Sequence, residues 1–241
     1  MNDENIIEQK IKENSEETDK SIKINTSPFD IIIKENSEID LVPKTGEYDY
    51  IFIFLHGLSE KIKDYIEIFN KKDGPIPENF KIVLPSASIQ YVTKINSKTI
   101  SWFDTKGKYN DVILESDIVF EEMDKAGDKI KKLIIDEAKK VNNDYSKFFL
   151  GGFSQGACLA YHVALNFDFT LGGLISFCGI PSSKTQIKEN RNKLNILSIA
   201  AGKDIIFPLE YLKNLTFNIL GSFTKLQFKV LPDEKHSVSK V

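Results

Sequence analysis

Cysteine is scarce in this chain of 241 residues: only Cys158 and Cys178 occur, and both lie in apolar segments rather than in paired loops. A disulfide framework is therefore excluded as the basis of the fold, and we expect two buried free thiols in a reducing compartment. No apolar run approaches the roughly 20 residues that a membrane-spanning helix needs. The polar, acidic residues 1–23 lack the apolar core of a signal peptide, and motifs for myristoylation and prenylation are absent. We therefore expect a cytoplasmic protein without a transmembrane segment.

Excess charge of either sign is also missing, because the formal net charge is only −3 and lysines are interspersed with acidic residues. This balance gives no reason to expect nucleic acid or an anionic membrane surface as a partner. No cluster of His, Cys, Asp and Glu has the spacing of metal ligands. No Gly-Lys-Ser/Thr follows the glycine-rich stretch, as a phosphate-binding loop would require. We therefore expect no metal site and reject a P-loop.

Strand-like and helical segments alternate along the chain, which predicts an α/β fold with a mostly parallel central sheet and helices on both faces. We predict a single domain over residues 25–241, after a charged tail over residues 1–24 that is disordered or a frayed helix. The predicted strands are residues 29–34, 50–55, 80–85, 174–178, 194–200 and 226–231, together with the run that begins at Phe148. The predicted helices are residues 59–70, 114–141 and 209–220, together with the segment that ends near residue 166. Residues 36–47 are expected to form turns, and residues 86–110 a long irregular loop.

The stretch Gly152-Phe153-Ser154-Gln155-Gly156 stands between a strand-like run and a segment with helical spacing. Gly-x-Ser-x-Gly in this context is the sequence form of a nucleophile elbow, in which the serine occupies the tip of a sharp, strained turn. Glycines are required there because Cβ atoms at Gly152 and Gly156 would crowd the neighbouring strand and helix. The pattern alone also fits an ordinary strand-to-helix turn, so a catalytic Ser154 needs partners elsewhere in the chain.

A serine hydroxyl is a weak nucleophile at neutral pH and needs an adjacent base, for which the chain offers three histidines. His56 precedes a glycine at the end of a strand, a position that shapes loop backbone. His162 lies eight residues after Ser154 on the next helix, so it is expected to be a surface or packed residue. His236 follows the last predicted strand, and functional groups gather on loops at the carboxyl ends of parallel strands. We therefore predict that His236 is the base.

The acid that orients the imidazole should lie between the serine and the histidine, on a loop after an intervening strand. Asp204 directly follows strand 194–200 and gives the chain order Ser154, Asp204, His236. Asp233 is the runner-up, but it lies too near His236 along the chain to fit that plan. Asp204 is therefore the predicted acid.

The oxygen of a tetrahedral intermediate needs two hydrogen-bond donors. In a nucleophile elbow the residue after the serine supplies one backbone N–H, which here is that of Gln155. The loop after strand 50–55 should supply the other, because Gly57 allows that loop to bring a backbone N–H close. We predict the N–H of Leu58 as this second donor, and an ordinary strand-ending turn at His56-Gly57 is the alternative.

Several short motifs follow one another along residues 52–241. They are Leu55-His56-Gly57-Leu58, Pro85-Ser86-Ala87, Val92-Thr93, Ser101-Trp102-Phe103-Asp104, Gly151-Gly152-Phe153-Ser154-Gln155-Gly156 and Asp204…Pro208…His236-Ser237. In this combination the chain resembles the acyl-protein thioesterase/lysophospholipase family of small cytosolic carboxylesterases. The resemblance implies a single-domain α/β-hydrolase fold without a large lid, a triad of Ser154, Asp204 and His236, an oxyanion hole at the Leu58 and Gln155 amides, and no cofactor. It further implies release of fatty acyl groups from S-acylated proteins, with lysophospholipids and short activated esters as other substrates.

Apolar residues near these motifs are candidates for substrate binding. Four residues of the loop 86–110 are expected either to line an acyl groove or simply to pack the loop onto the domain: Ile89, Tyr91, Trp102 and Phe103. Burial of each acyl CH₂ in such a groove would contribute about 0.8 kcal/mol. The predicted substrate-binding residues are Trp102, Phe103, Ile206 and Phe207.

The chain departs from the family pattern at Ser59-Glu60, Ala157 and Ala200-Ala201, and five residues follow His236 where family members carry a helix. Two alternatives therefore stay open. One is a carboxylesterase for small esters with the same triad. The other is a non-catalytic binding protein with an α/β-hydrolase fold, which Ala200-Ala201 and the short segment after His236 favour. A weak homodimer is also left open.

Overall fold

Most helices occupy segments in which apolar residues recur every three or four positions, and most strands occupy short runs in which apolar residues alternate or are continuous. The computed structural model describes residues 22–25, 28–35, 38–71, 74–109 and 111–237. The strands are β1 (Ile22–Asn25), β2 (Phe29–Ile33), β3 (Ile39–Pro43), β4 (Tyr50–Leu55), β5 (Phe80–Leu84), β6 (Ile89–Val92), β7 (Ser97–Ile100), β8 (Phe148–Phe153), β9 (Gly173–Phe177), β10 (Ile196–Ala201) and β11 (Leu226–Leu231). The α-helices are α1 (Ile62–Phe69), α2 (Phe120–Ala138), α3 (Gln155–Asn166) and α4 (Leu209–Leu220). Residues 1–21 of the predicted tail lie outside the described residues. Its last three residues, 22–24, belong to β1, which begins at Ile22.

Nine of the described strands form one sheet in the order β1-β2-β3-β5-β4-β8-β9-β10-β11. Neighbours from β5 to β11 run parallel. The strands β1, β2 and β3 join antiparallel at one edge. The mostly parallel sheet of an α/β-hydrolase fold, which the resemblance implies, is therefore confirmed.

Helices cover both faces of the sheet because its central strands carry large apolar side chains on both sides. In β4, Ile51 and Leu55 belong to the apolar cluster that packs against α2, α3 and α4. Phe52 and Phe54 lie on the other face and pack against Phe69 of α1, with ring centroids 5.9 and 5.2 Å away. No helix in the described ranges is long and apolar enough to cross a membrane.

The prediction of turns over residues 36–47 is wrong in its middle, where β3 pairs antiparallel with β2 and β5. Pro43 suggested a turn, but it is the last residue of the strand. The buried Asp40 of β3 contacts Lys81, whose Nζ lies 2.6 Å from Asp40 and 2.7 Å from Glu137. The strand is short and carries a charge, so its sequence signal is weak. Its two neighbours supply the hydrogen bonds that make it a strand.

The loop predicted over residues 86–110 contains a hairpin, in which β6 and β7 form a separate antiparallel pair. The connection includes a short 3₁₀ segment, Thr93–Ile95, and Asn96 in the left-handed region with φ of 49°. These strands are only four residues long, and β7 is largely polar, so they give little period-two signal. Ile89 and Tyr91 of β6 are 72% and 50% exposed.

Candidate active site

Ser154 occupies the turn between β8 and α3, as the elbow motif predicts. Its φ of 53° and ψ of −118° form a conformation that L-residues seldom adopt. The N–H of Ser154 donates to the carbonyl of Phe177 at 2.9 Å, and the N–H of Cys158 donates to the carbonyl of Ser154 at 3.1 Å. These bonds hold the strained turn, which presents the serine at the carboxyl end of a central strand.

Gly152 and Gly156 are required by close backbone contacts. A Cβ atom at Gly152 would lie 2.5 Å from the backbone of Gly156 in α3. A Cβ atom at Gly156 would lie 2.1 Å from the carbonyl oxygen of Leu55 and 2.5 Å from that of His56, at the end of β4. The predicted crowding against helix and strand is therefore confirmed, and it explains why both positions around the serine are glycine.

Side chains from three loops form one hydrogen-bonded chain. The Nε2 atom of His236 lies 2.7 Å from Oγ of Ser154, and its Nδ1 atom lies 2.8 Å from Oδ2 of Asp204. Asp204 follows β10 and His236 follows β11, so both reach the elbow from the carboxyl ends of parallel strands. The rings of Phe153 and Phe207 flank the imidazole at centroid distances of 4.9 and 5.9 Å. The structure thus brings together the serine, acid and base that chain order predicts.

The Asp204 carboxylate is fixed by backbone donors. Its Oδ1 atom accepts hydrogen bonds from the N–H groups of Ile206 at 2.8 Å and Phe207 at 2.9 Å. The side chain has no exposed surface, and its second oxygen accepts the hydrogen bond from Nδ1 of His236. In contrast, the runner-up Asp233 has 86% of its side chain exposed. The geometry therefore favours Asp204 as the acid.

Cys178, at the end of β9, lies beside this chain and is free and buried, as is Cys158. Among the described residues, possible metal-ligating atoms of Cys178, Asp204 and His236 lie within 4.8 Å of one another, which is close enough to hold a metal ion. Burial and the charge of Asp204 raise the pKa of Cys178 to about 12, whereas metal ligation needs the thiolate. Metal binding would also break the bond between Asp204 and His236. These groups are therefore better suited to proton transfer than to holding a metal.

The two backbone N–H groups predicted for an oxyanion hole belong to residues that line the same cavity as Ser154. Gln155 is the first residue of α3, where an N–H has no intrahelical partner. Next to Leu58, the N–H groups of Gly57 and Ser59 donate to other groups of the chain at 2.7 and 2.9 Å. Of these three loop amides, that of Leu58 has no partner among the described residues. Both predicted donors are therefore available to a ligand.

His56 and Trp102 support this loop from behind. The N–H of Ala87 donates to Nε2 of His56 at 3.0 Å, so Nδ1 carries the proton and donates to the carbonyl of Gly57 at 2.7 Å. Burial lowers the pKa of His56, which agrees with a neutral ring. The indole N–H of Trp102 donates to the carbonyl of His56 at 2.8 Å. Trp102, a predicted substrate-binding residue, therefore lies behind the loop rather than on the cavity surface.

The side chain of Gln155 has a structural role that sequence reasoning missed. Its Oε1 atom accepts the N–H of Trp102 at 2.9 Å, and its Nε2 atom donates to the carbonyl of Phe103 at 2.8 Å and to Oγ of Ser101 at 3.0 Å. The motif Ser101-Trp102-Phe103-Asp104 is thereby fixed to the start of α3. This contact holds one wall of the cavity next to the elbow.

A cavity of about 330 Å³ opens at Ser154. Three of the four predicted substrate-binding residues line it, namely Phe103, Ile206 and Phe207. Ile89 and Tyr91, which were expected either to line an acyl groove or to pack the loop onto the domain, lie exposed on the hairpin instead. The walls that sequence reasoning missed are mostly apolar and include Ile95, Thr105, Tyr109, Ile113, Ile118, Phe153 and Cys158, together with Lys94. The cavity therefore suits an apolar acyl group.

A local signal existed for only two of the missed wall residues. Phe153 directly precedes the serine, and Cys158 lies one helical turn after it, so the elbow motif alone places both near Oγ. Apart from Glu60, the others come from the chain between residues 94 and 118, where positions depend on distant contacts. One such contact is the bond from the N–H of Ile113 to the carbonyl of Ile206 at 3.0 Å.

His162 is a packed residue, one of the two environments expected for it. It is 1% exposed, and its ring lies 3.0 Å from both Oγ1 of Thr185 and Oδ1 of Asp124. Burial lowers the pKa of His162, although the hydrogen bond and charge of Asp124 act in the opposite direction. The residue therefore links α3 to α2 and to the loop after β9, away from the chemistry at Ser154.

We expect the buried His162 to make folding less stable in acid. A histidine in an unfolded chain has a pKa of about 6.5, and in the folded protein the pKa of His162 is lower. The unfolded state therefore binds more protons below about pH 6.5, and the free energy of unfolding decreases as the pH falls, by at most about 1.4 kcal/mol per pH unit for this residue. Urea unfolding at about pH 7.5 and about pH 5.5 measures the effect. The variant His162→Gln should show a shallower decrease, and equal decreases in both proteins would contradict this origin.

Comparison with known proteins gives a family match and close structural likenesses. Residues 36–241 match the family model described as phospholipase/carboxylesterase. The chain is similar to acyl-protein thioesterase 1 of Eremothecium gossypii, with 29% identity over 198 residues that cover 79% of this chain and 82% of that protein. It is similar in structure to SOBER1 of Arabidopsis thaliana, with a TM-score of 0.67 and 24% identity over 79% of this chain and 91% of that one. Acyl-protein thioesterase 2 of Zea mays matches with a TM-score of 0.68 and 18% identity over 84% and 92% of the two chains. These two structural matches show a shared fold.

Proposed function

Because this chain belongs to the phospholipase/carboxylesterase family, a family of ester and thioester hydrolases, we propose that it cleaves acyl esters and thioesters through Ser154, His236 and Asp204. The observation that carries the proposal is the continuous hydrogen-bonded chain from Asp204 through His236 to Ser154, with lengths of 2.8 and 2.7 Å. Ser154 and His236 lie on the wall of a largely apolar cavity. These hydrogen bonds also argue against the alternative that the protein is a non-catalytic binding protein.

Each group has one task in the proposed reaction. Oγ of Ser154 attacks the acyl carbonyl carbon as its proton passes to Nε2 of His236. The bond to the leaving oxygen or sulfur then breaks, and that atom takes the proton from Nε2. Water attacks the carbonyl carbon of the acyl-serine and gives a proton to Nε2. The bond from that carbon to Oγ then breaks, Oγ takes the proton from Nε2, and the carboxylic acid leaves the restored Ser154. Throughout the reaction, Asp204 accepts a hydrogen bond from the Nδ1–H group of His236 and stabilises the imidazolium.

The charge that develops on the carbonyl oxygen needs donors at the start of α3 and in the loop after β4. The N–H groups of Gln155 and Leu58 fit this role because both residues line the cavity beside Ser154. Loss of one such donor typically lowers kcat by about 10²–10³-fold. His56 and Trp102 would act indirectly, since they hold the loop that carries Leu58.

For the substrate, we propose the acyl groups of S-acylated proteins in the cytoplasm, with lysophospholipids as a second class. Relatives named acyl-protein thioesterase and the apolar walls of the cavity support this choice. A second candidate is a carboxylesterase for small esters, which would use the same three side chains.

An acyl-length series tests both the activity and the substrate. With p-nitrophenyl esters from acetyl to dodecanoyl, kcat/KM should rise by up to about fourfold per added CH₂ until the cavity is full, because each buried CH₂ contributes about 0.8 kcal/mol. A palmitoyl-cysteine peptide in the same assay tests the thioesterase proposal. Its turnover would support acylated proteins as substrates, whereas turnover of only the short esters would favour the small-ester enzyme.

The control for this series is Ser154→Ala, which should lose hydrolysis and also labelling by a fluorophosphonate probe. Equal rates from acetyl to dodecanoyl would argue against an acyl-binding role for the cavity. Absence of probe labelling in the unaltered protein, together with no hydrolysis of any ester, would contradict the proposed activity itself.

A further inference from the structure

Lys94 stands out among the residues that line the cavity at Ser154, because it is a buried cation in a largely apolar wall. It lies in the 3₁₀ segment Thr93–Ile95 and is only 7% exposed. Its backbone N–H donates to the carbonyl of Thr105 at 2.8 Å, which fixes the segment against the cavity wall. The Nζ atom donates to the carbonyl of Lys108 at 2.8 Å. Among the residues that the structure describes, the ammonium is thus held in position by one neutral acceptor.

This ammonium lacks the carboxylate that a buried lysine normally has. Buried charges are unfavourable unless they are paired. Lys81, the other lysine that is buried within the described ranges, follows the rule, since its Nζ lies 2.6 Å from Asp40 and 2.7 Å from Glu137. Within the described part of the chain, no carboxylate lies within ion-pair distance of Nζ of Lys94. An anion from outside the protein would supply the missing partner.

Besides Lys94, Tyr109 and Cys158, the titratable side chains that line the cavity are Glu60 and His236, and neither of these two neutralises Lys94. Glu60 belongs to the loop after β4, where its Oε2 atom accepts the N–H of Gly57 at 2.7 Å and the hydroxyl proton of Tyr65. His236 is engaged by Asp204 and Ser154. Among the described residues that line the cavity, Lys94 is therefore the cation whose charge no acidic side chain neutralises.

We propose that Lys94 binds a carboxylate at the far end of the acyl group, so that acyl chains ending in an anion are preferred substrates of this enzyme. The inference rests on the proposed function, because the acyl group must enter this cavity. The apolar walls at Ile95, Ile113 and Ile118 suit the methylene groups between the two ends. A lysine ammonium has three donors, of which the Lys108 carbonyl takes one, so donors remain for a carboxylate.

The test compares two esters that differ only at the acyl terminus: p-nitrophenyl hexanoate and the mono-p-nitrophenyl ester of adipic acid. The measured quantity is the ratio of kcat/KM for the acidic ester to that for the neutral one, after subtraction of uncatalysed hydrolysis. In Lys94→Met this ratio should fall by at least about tenfold, because a charge-assisted hydrogen bond is lost. Lys94→Arg should keep most of the selectivity. The matched control is Lys98→Met on the exposed part of β7, which should leave the ratio unchanged.

Two results would overturn the proposal while the proposed function stands. One is hydrolysis of the neutral ester with an equal ratio in Lys94→Met and the unaltered protein. The other is a preference for esters that carry the carboxylate on the leaving alcohol, with no preference for esters that carry it on the acyl group. If no ester is hydrolysed, the proposed function fails, and binding still decides the role of Lys94. Calorimetry with monomethyl adipate should then show weaker binding to Ser154→Ala/Lys94→Met than to Ser154→Ala, and equal binding would contradict the assignment.

Discussion

Changing Asp204 to asparagine is expected to lower kcat for ester hydrolysis by about 10⁴-fold, as the equivalent change does in serine proteases. The backbone around Asp204 makes the reason specific. Its Oδ1 atom accepts two N–H groups, from Ile206 and Phe207, so an asparagine oxygen would occupy that position. The asparagine NH₂ would then face Nδ1 of His236. That nitrogen would have to accept, and the ring proton would move to Nε2, where it faces Ser154 and blocks proton removal.

The matched control is Asp233→Asn, which makes the same chemical change at the other candidate acid. Asp233 lies at the surface in an ion pair with Lys203, and 86% of its side chain is exposed. We expect its kcat to stay within about twofold of the original value, since exposed ion pairs contribute little. A steady-state assay with a short p-nitrophenyl ester compares the two variants. If Asp233→Asn lost as much activity as Asp204→Asn, the assignment of the acid would be wrong.

The elements that could be predicted from the sequence are those with a strong local pattern. The apolar run of β4, the alternating apolar and polar residues of β11 and the helical spacing of α4 gave bounds that agree with the structure at Tyr50–Leu55, Leu226–Leu231 and Leu209–Leu220. A central parallel strand is buried on both faces, so its sequence is apolar throughout. An amphipathic helix repeats its apolar residues with its own period. In both cases the signal lies within the element itself.

The elements that could not be predicted depend on partners elsewhere in the chain. β3 carries the buried Asp40, which is tolerated because Lys81 on the neighbouring strand lies 2.6 Å away. The hairpin has two four-residue strands, of which β7 is largely polar, and among the described strands they pair only with each other. Strands of four or five residues offer too few alternating positions for a clear period-two pattern. Their prediction would have required knowledge of the pairing.

The same division applies to the site. Ser154, Asp204 and His236 could be predicted because each follows a strand, and the carboxyl ends of parallel strands meet at one edge of the sheet. Trp102 was predicted to contact substrate, but its aromatic ring packs at 4.8 Å on His56 behind the loop. Lys94 could not be recognised, since lysines interspersed along a charged sequence usually indicate a solvated surface. Only the fold of the segment around it reveals that the side chain is buried at the cavity.

Gly156→Ala is expected to damage both the fold and the reaction. A Cβ atom there would lie 2.1 Å from the carbonyl oxygen of Leu55 and 2.5 Å from that of His56. These are backbone atoms, so no side-chain rotation can relieve the contact, and the end of β4 must move away from α3. We expect the free energy of unfolding to fall by about 3 kcal/mol or more. Urea unfolding followed by intrinsic fluorescence measures this loss.

The displacement should also reach the reaction, because the chain that follows Leu55 and His56 carries the Leu58 amide. In the protein that remains folded, kcat should therefore fall by about 10²-fold or more, the typical loss when one oxyanion donor is removed. The matched control is Gly46→Ala, where φ is +77° but no atom lies within 4 Å of the added carbon. That variant should lose only about 1–2 kcal/mol from backbone strain, with kcat unchanged. If Gly156→Ala kept its stability and lost kcat alone, the contact would act only on the oxyanion loop. If both stayed unchanged, β4 and α3 could not be as close as the structure has them.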